Sequence, residues 1–119
     1  MFPVSQTAFS APPRATIFIV NVIHVYEGKL DEAFQIIQDI VHYVSQRKRD
    51  FLWSSIAKST DGKTIVNVEA ISSVDAVEHF FSDSIFAAKF AKLKKVSQFE
   101  FHTYHVDDLV FPNLDGAGS

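Results

Sequence analysis

Two asparagines, Asn21 and Asn67, are the first residues in this sequence whose type and setting suggest chemistry. Each interrupts a stretch that is otherwise mostly apolar, TIFIVNVIHVY and KTIVNVEAI. A buried amide left unpaired costs on the order of 1–3 kcal/mol, and a plain strand core would favour Val or Ile in its place. Either the two amides hydrogen-bond each other across neighbouring strands, or they face a pocket. In a pocket they would orient a phenol or carbonyl and stabilise developing negative charge, which makes them the candidate catalytic pair. Glu69 shares a strand face with Asn67 and could act as a base there, but its position near a strand end predicts a solvated carboxylate.

Other reactive constellations are sparse. Of five histidines, His102 and His105 stand three apart on a strand and so point to opposite faces. No His-x-x-x-His pair or carboxylate cluster has ligand spacing, so no metal site is expected. His24 lies on an apolar strand face and reads as a core or interface histidine before a catalytic base. None of the four glycines forms a phosphate loop, there is no Gly-x-Ser-x-Gly elbow, and zero cysteines exclude thiol chemistry. Phe80, Phe81, Phe86, Phe90, Phe99 and Phe101 either line a cavity for an aromatic ligand or make a helix-facing core. Lys89, Lys92 and Lys95 read as a solvated helix face.

The elements that would position these groups follow from period and punctuation. Thr16–Tyr26 is a strand with Ile17, Ile19, Asn21, Ile23 and Val25 on one face and Phe18, Val20, Val22 and His24 on the other. After Gly28, Leu30, Ala33, Phe34, Ile37, Ile40, Val41 and Val44 recur at helical spacing. Asp31 and Glu32 in the first turn, with Arg47, Lys48 and Arg49 in the last, suit the helix dipole. Phe51–Lys58 and Lys63–Ile71 are strands joined by an Asp61-Gly62 hairpin. Ser72 and Asp75 cap a short helix over Val74–Phe81, Ile85–Val96 is a second helical stretch, and Phe99–Val106 is the last strand.

The order is β-α-β-β-α-β with a split second helix, an α+β ferredoxin-like arrangement with helices on one face of a four-stranded antiparallel sheet. The other face, with Phe18, Val20 and Val22, would stand bare. Burying each such side chain is worth roughly 1.5–3 kcal/mol, so a second copy of the chain is the economical cover and a homodimer is expected.

Size and charge bound the rest. With 119 residues, 47% of them hydrophobic, the chain fits one domain, here residues 15–107, between a leader or disordered arm at 1–14 and a tail at 108–119. A net charge of −3 argues against a nucleic-acid binder. No apolar run approaches the roughly 20 residues of a membrane span, and the first residues lack the pattern of a signal peptide. No membrane partner and a cytoplasmic location are expected.

The stretch Ser59–Val77, STDGKTIVNVEAISSVDAV, taken with TIFIVNVIHVYEG at Thr16–Gly28, resembles the antibiotic biosynthesis monooxygenase domain. The resemblance runs from about Thr16 to Val106 and rests on strand 1 through Gly28, the Ser59-x-Asp61-Gly62 turn, Asn67, and Tyr104 in the last strand. It implies a dimeric α/β barrel with a cavity between sheet and helices in each subunit. It further implies either a cofactor-independent monooxygenase that turns hydroxyaromatic, polyketide-like substrates into quinones, or a heme-degrading enzyme. On the heme-degrading pattern the Asn falls on Asn21, the Trp on Phe80 and the His on Phe90. A Phe cannot ligate iron, so no heme cofactor is expected. On the quinone-forming pattern the Asn falls on Asn67, the Trp on Ile71 and a His on Ala57, while Arg49-Asp50 stands where Pro-Gly usually precedes strand 2. The expected site is therefore Asn67 and Asn21 as catalytic residues, with Phe80, Phe90, Ile71, His24 and Phe101 contacting a small aromatic or apolar ligand. The alternative is a non-catalytic ligand-binding or interaction module of the same fold.

Overall fold

The computed structural model describes residues 16–72 and 82–112. Its elements are β1 (Ile17–Val25), α1 (Leu30–Arg47), β2 (Phe51–Lys58), β3 (Thr64–Ile71), α2 (Ser84–Val96) and β4 (Ser97–His105). The expected short helix at Val74–Phe81 and the N-terminal arm lie outside the described residues, as does the end of the tail. β4 begins two residues earlier than the apolar pattern suggested, because it follows α2 without a loop.

The four strands form one antiparallel sheet in the order β2-β3-β1-β4. This is the ferredoxin-like arrangement, with both helices on one face. Between sheet and helices, Ile23 and Ile65 meet Ala33, Ile37, Ile40, Val41 and Val44 of α1 and Phe86, Leu93 and Val96 of α2. Ile23, Ile37, Ile65 and Leu93 are fully buried. Among the described residues no helix is long and apolar enough to cross a membrane.

Local chemistry fixes the corners. Gly62 takes a positive φ of 74° that an L side chain rarely adopts. Ser59 organises the same turn: its hydroxyl donates to Asp61 Oδ1 at 2.6 Å and accepts from the Thr64 amide at 3.0 Å. Those bonds to Ser59 and to the Lys63 amide hold the Asp61 carboxyl below the usual range. At the start of α2, Asp83 Oδ1 accepts from the amides of Ile85 and Phe86, while Tyr43 on α1 donates its hydroxyl to Asp83 Oδ2 at 2.7 Å. One carboxylate thus caps α2 and ties it to α1.

A bulge between Phe51 and Trp53 shifts the register of β2 against β3. Phe51 stays against the helix-side core, while Trp53 pairs with Ala70 and stacks edge-on against Phe18, ring centroids 5.6 Å apart. Trp53 and Phe18 therefore share the sheet face away from the helices, where Val20, Val22, Val66 and Val68 are only partly buried in the single chain.

Candidate functional site

The site is built where two rows of sheet residues meet the end of α1. In the strand register, Asn67, Asn21 and Phe101 form one row across β3, β1 and β4, and Glu69, Ile19 and Thr103 form the next. Alternation turns both rows toward the helices. On α1 the inward stripe of Ile37, Val41 and Val44 continues one turn further to Lys48. The Lys48 amide still bonds the Val44 carbonyl at 2.9 Å, while its own backbone is extended and ends the helix. The Lys48 side chain folds under the sheet-facing surface and is 2% exposed.

These residues enclose a cavity of about 60 Å³, room for a few water molecules. Asn21, Asn67, Lys48 and Glu69 supply its polar end, and Phe86, Phe90 and Phe101 its aromatic wall, with aliphatic side chains of α1 between. Phe86 and Phe90 pack at 4.8 Å between ring centroids, and Phe90 in turn meets Phe99 at 5.2 Å. Core and cavity wall thus share one file of phenylalanines. Among the lining residues only Phe101 is exposed, at 38%.

The polar groups are unequally satisfied. Asn67 Oδ1 accepts a hydrogen bond from the Ser54 hydroxyl at 2.5 Å. Asn21 Oδ1 is buried with no hydrogen-bond partner among the described residues. Lys48 Nζ stands 3.4 Å from Glu69 Oε2, and both side chains are almost wholly buried. Burial pushes the Glu69 carboxyl above the usual carboxylate range. The Lys48 ammonium and its hydrogen bond draw it part of the way back, and the Asp50 carboxylate adds to the rise. Both carboxyl oxygens of Asp50 are themselves buried without a hydrogen-bond partner among the described residues.

Asn67, Asn21, Phe90 and Phe101 therefore come together at one cavity, and other expected site residues do not. His24 lies on the opposite sheet face, more than half exposed, with Nε2 3.7 Å from Glu100 Oε1. Its even position on β1 turns it away from the face that carries Asn21. Ile71 is fully buried at the end of β3, opposite Ile17 and Phe51, and does not line the cavity. Phe80 lies outside the described residues. The expectation of a solvated Glu69 is overturned: the residue is 6% exposed, because the last turn of α1 closes over that end of β3. Sequence reasoning placed Lys48 only as a partner of the helix dipole and not at the site. Its signal was present, since Lys48 stands four residues after Val44 on the inward stripe, where a dipole-stabilising surface lysine would not fall. Among the described residues no group of histidines and carboxylates could hold a metal ion.

No protein-family profile matches the sequence, and no curated protein matches it. Solved structures do match in fold. SnoaB, a cofactor-independent oxygenase from Streptomyces nogalater, superposes with a TM-score of 0.73 at 17% identity, over 83% of this chain and 99% of that one. A protein from Caulobacter crescentus CB15 assigned to the antibiotic biosynthesis monooxygenases gives 0.69 at 17% identity, over 84% and 97%. A dimeric protein of ferredoxin-like fold and unknown function from Bacteroides fragilis gives 0.62 at 6% identity, over 76% and 96%. The sequence pattern, the β2-β3-β1-β4 sheet and these superpositions agree that the chain has the fold of the antibiotic biosynthesis monooxygenase-like proteins.

Proposed function

We propose that this chain acts as a homodimeric domain that binds a small hydroxyaromatic molecule in the sheet–helix cavity and oxygenates it with molecular oxygen, without a metal or flavin. The observation that carries this reading is the cavity itself. It joins an aromatic wall to a polar end lined by Asn21, whose buried acceptor Oδ1 has no partner among the described residues. A phenolic O–H supplies the missing donor, and the phenylalanines flank the ring. Likeness of fold to the cofactor-independent oxygenase SnoaB supports the reaction class.

The chemistry balances without an outside reductant. A phenol with an open para position plus O₂ gives a para-quinone plus water. The substrate loses four electrons, one oxygen atom stays on the ring carbon, and the other leaves as water. Asn21 and Asn67 orient the phenolic oxygen, and their amide N–H groups stabilise negative charge as it develops there. The enclosed volume is less than half of the roughly 150 Å³ cavity that takes up benzene. A ring therefore enters with displacement of Phe101, the exposed member of the wall.

One observation favours a non-catalytic ligand-binding module instead. The two positions where the resemblance places polar partners of Asn67 hold Ile71, sealed in the core, and Ala57. Oxygen uptake measured against a panel of mono- and bicyclic hydroxyaromatics, alongside equilibrium binding, separates the readings. Saturable binding with uptake supports the oxygenase, and binding without uptake supports the module. Neither binding nor uptake across the panel would overturn both.

A further inference from the structure

An ion pair sealed against a cavity wall calls for an explanation, because packed apolar side chains in its place are commonly as stable or more so. Here the pair is Lys48 and Glu69, 3.4 Å apart, with side chains 2% and 8% exposed. Both line the same cavity as Asn21 and Asn67. Glu69 stands two residues from Asn67 on the same strand face, and its contact with Lys48 engages Oε2. The carboxylate thus keeps a second oxygen for a ligand, and the ammonium stands where an anion formed in the cavity would be held. The charged groups that face Glu69 are Lys48 and, from the turn before β2, Asp50. The walls contributed by β1, α2 and β4 bring Ile19, Asn21, Phe86, Phe90 and Phe101, none of which titrates in the ordinary range.

We propose that Glu69 is the base of this cavity and Lys48 its anion holder, and that the pair selects ligands with an acidic O–H, a phenol or an enol. This rests on the reading of the cavity as the ligand site given above. The step is a proton transfer: the ligand O–H bond breaks, an O–H bond forms on Glu69, and the negative charge moves from the carboxylate to the ligand oxygen beside Lys48. No electron changes hands in that step. The phenolate or enolate it leaves is the electron-rich form that can reduce oxygen. The burial that raises the Glu69 carboxyl also makes its anion a stronger base, which favours transfer in this direction.

The probe is p-nitrophenol, a single ring whose anion is coloured and whose neutral form is not. With the full chain, bound probe should carry the anion's colour at pH values where free probe is colourless, because Glu69 has taken its proton. Affinity should fall by about tenfold per pH unit above the probe's own pKa, since the anion must then bring a proton with it. In Glu69→Gln the slope should reverse, with affinity rising as the probe ionises in solution, because Lys48 then binds a preformed anion. If Glu69→Gln does not fold, Lys48→Met/Glu69→Gln removes both members of the pair, and it should bind the probe colourless below the probe's pKa. Failure of the unsubstituted chain to bind the probe would overturn the cavity reading itself. Binding as the neutral phenol, or the same pH slope in Glu69→Gln, would overturn the assignment of Glu69 alone.

Discussion

Asn21 and Asn67 stand directly opposite each other on β1 and β3, yet the hydrogen bond to Asn67 Oδ1 comes from Ser54 on β2, while Asn21 Oδ1 has no partner among the described residues. Two amides that look equivalent in the sequence therefore have different roles. Asn67 is held in place by a neighbour, while Asn21, which also lines the cavity, has a buried acceptor with no partner among the described residues.

This asymmetry predicts opposite effects on stability. Asn67→Ala strands the half-buried Ser54 hydroxyl and should lower unfolding free energy by about 1–3 kcal/mol. Asn21→Leu removes a buried acceptor that nothing satisfies, and the adjoining cavity has room for the extra methyl volume. That variant should be unchanged or more stable by about 1–2 kcal/mol while losing affinity for hydroxyaromatics. Urea denaturation paired with binding checks both, and a marked loss of stability in Asn21→Leu would show that its amide is structural.

Most of the fold was legible in the sequence, and the reasons are local. Ser59, Asp61 and Gly62 carry their own turn chemistry, the period-2 and period-3.6 runs identified β1 and α1 within a residue or two, and the bare face of β1 was visible as Phe18, Val20 and Val22. Part of the cavity lining was legible as well, since an asparagine inside an apolar strand is a local anomaly. What stayed hidden depends on tertiary closure. Glu69 read as solvated because strand ends usually are, and only the last turn of α1 lying over it changes that. Lys48 read as a dipole partner because charge near a helix C-terminus has a surface explanation, and this masked its place on the inward stripe. The bulge that sends Trp53 to the outer face has no marker in the sequence, which shows neither Gly nor Pro there.

The Lys48–Glu69 pair should cost stability rather than add to it. Lys48→Met alone leaves a buried carboxylate uncompensated and should destabilise the protein by about 3–5 kcal/mol. Lys48→Met/Glu69→Leu removes both charges and should be neutral, or more stable by about 1–4 kcal/mol. The sign with pH follows from burial. The folded Glu69 carboxyl is raised above its unfolded value, so its contribution is fully present below the unfolded pKa and is lost as pH rises through the raised one. The stability of the natural chain relative to the double variant should therefore decline from mild acid toward neutrality. A pH-independent difference between the two would contradict the burial of a strained carboxylate.

Asp83 makes a prediction of opposite sign at the other end of the cavity wall. Its carboxyl is held low, first by the Tyr43 hydroxyl and then by the amides at the start of α2. That contribution is present above the unfolded carboxyl pKa and lost as pH falls through the depressed one. Asp83→Ala should lower the thermal midpoint at neutral pH and flatten the acid limb of the stability profile. Because α2 carries Phe86 and Phe90, the same variant should also weaken ligand binding. Tyr43→Phe should keep the helix cap and lose only the tie between the helices, giving a smaller fall in midpoint. Equal effects from the two variants would mean that the cap contributes nothing.

The outer sheet face predicts the assembly. Phe18, Val20 and Val22 of β1 stand beside Val66 and Val68 of β3, with Trp53 and Tyr104 at the margins, and in the single chain these side chains are only half covered. Each apolar side chain of this size gains roughly 1.5–3 kcal/mol on full burial, and a patch this continuous on a monomer favours association. The protein should therefore elute and scatter light at twice the 13.4 kDa chain mass at micromolar concentration. Val20 sits near the centre of the patch, so Val20→Glu would desolvate a carboxylate in any face-to-face dimer and should give a monomer or insoluble protein. Lys92→Ala, exposed on α2 on the other side of the sheet, should leave the dimer intact. A single-chain mass for the unsubstituted protein that does not change with concentration would remove the dimer from the proposed function. The cavity and its pair of buried charges would then have to be explained within one chain.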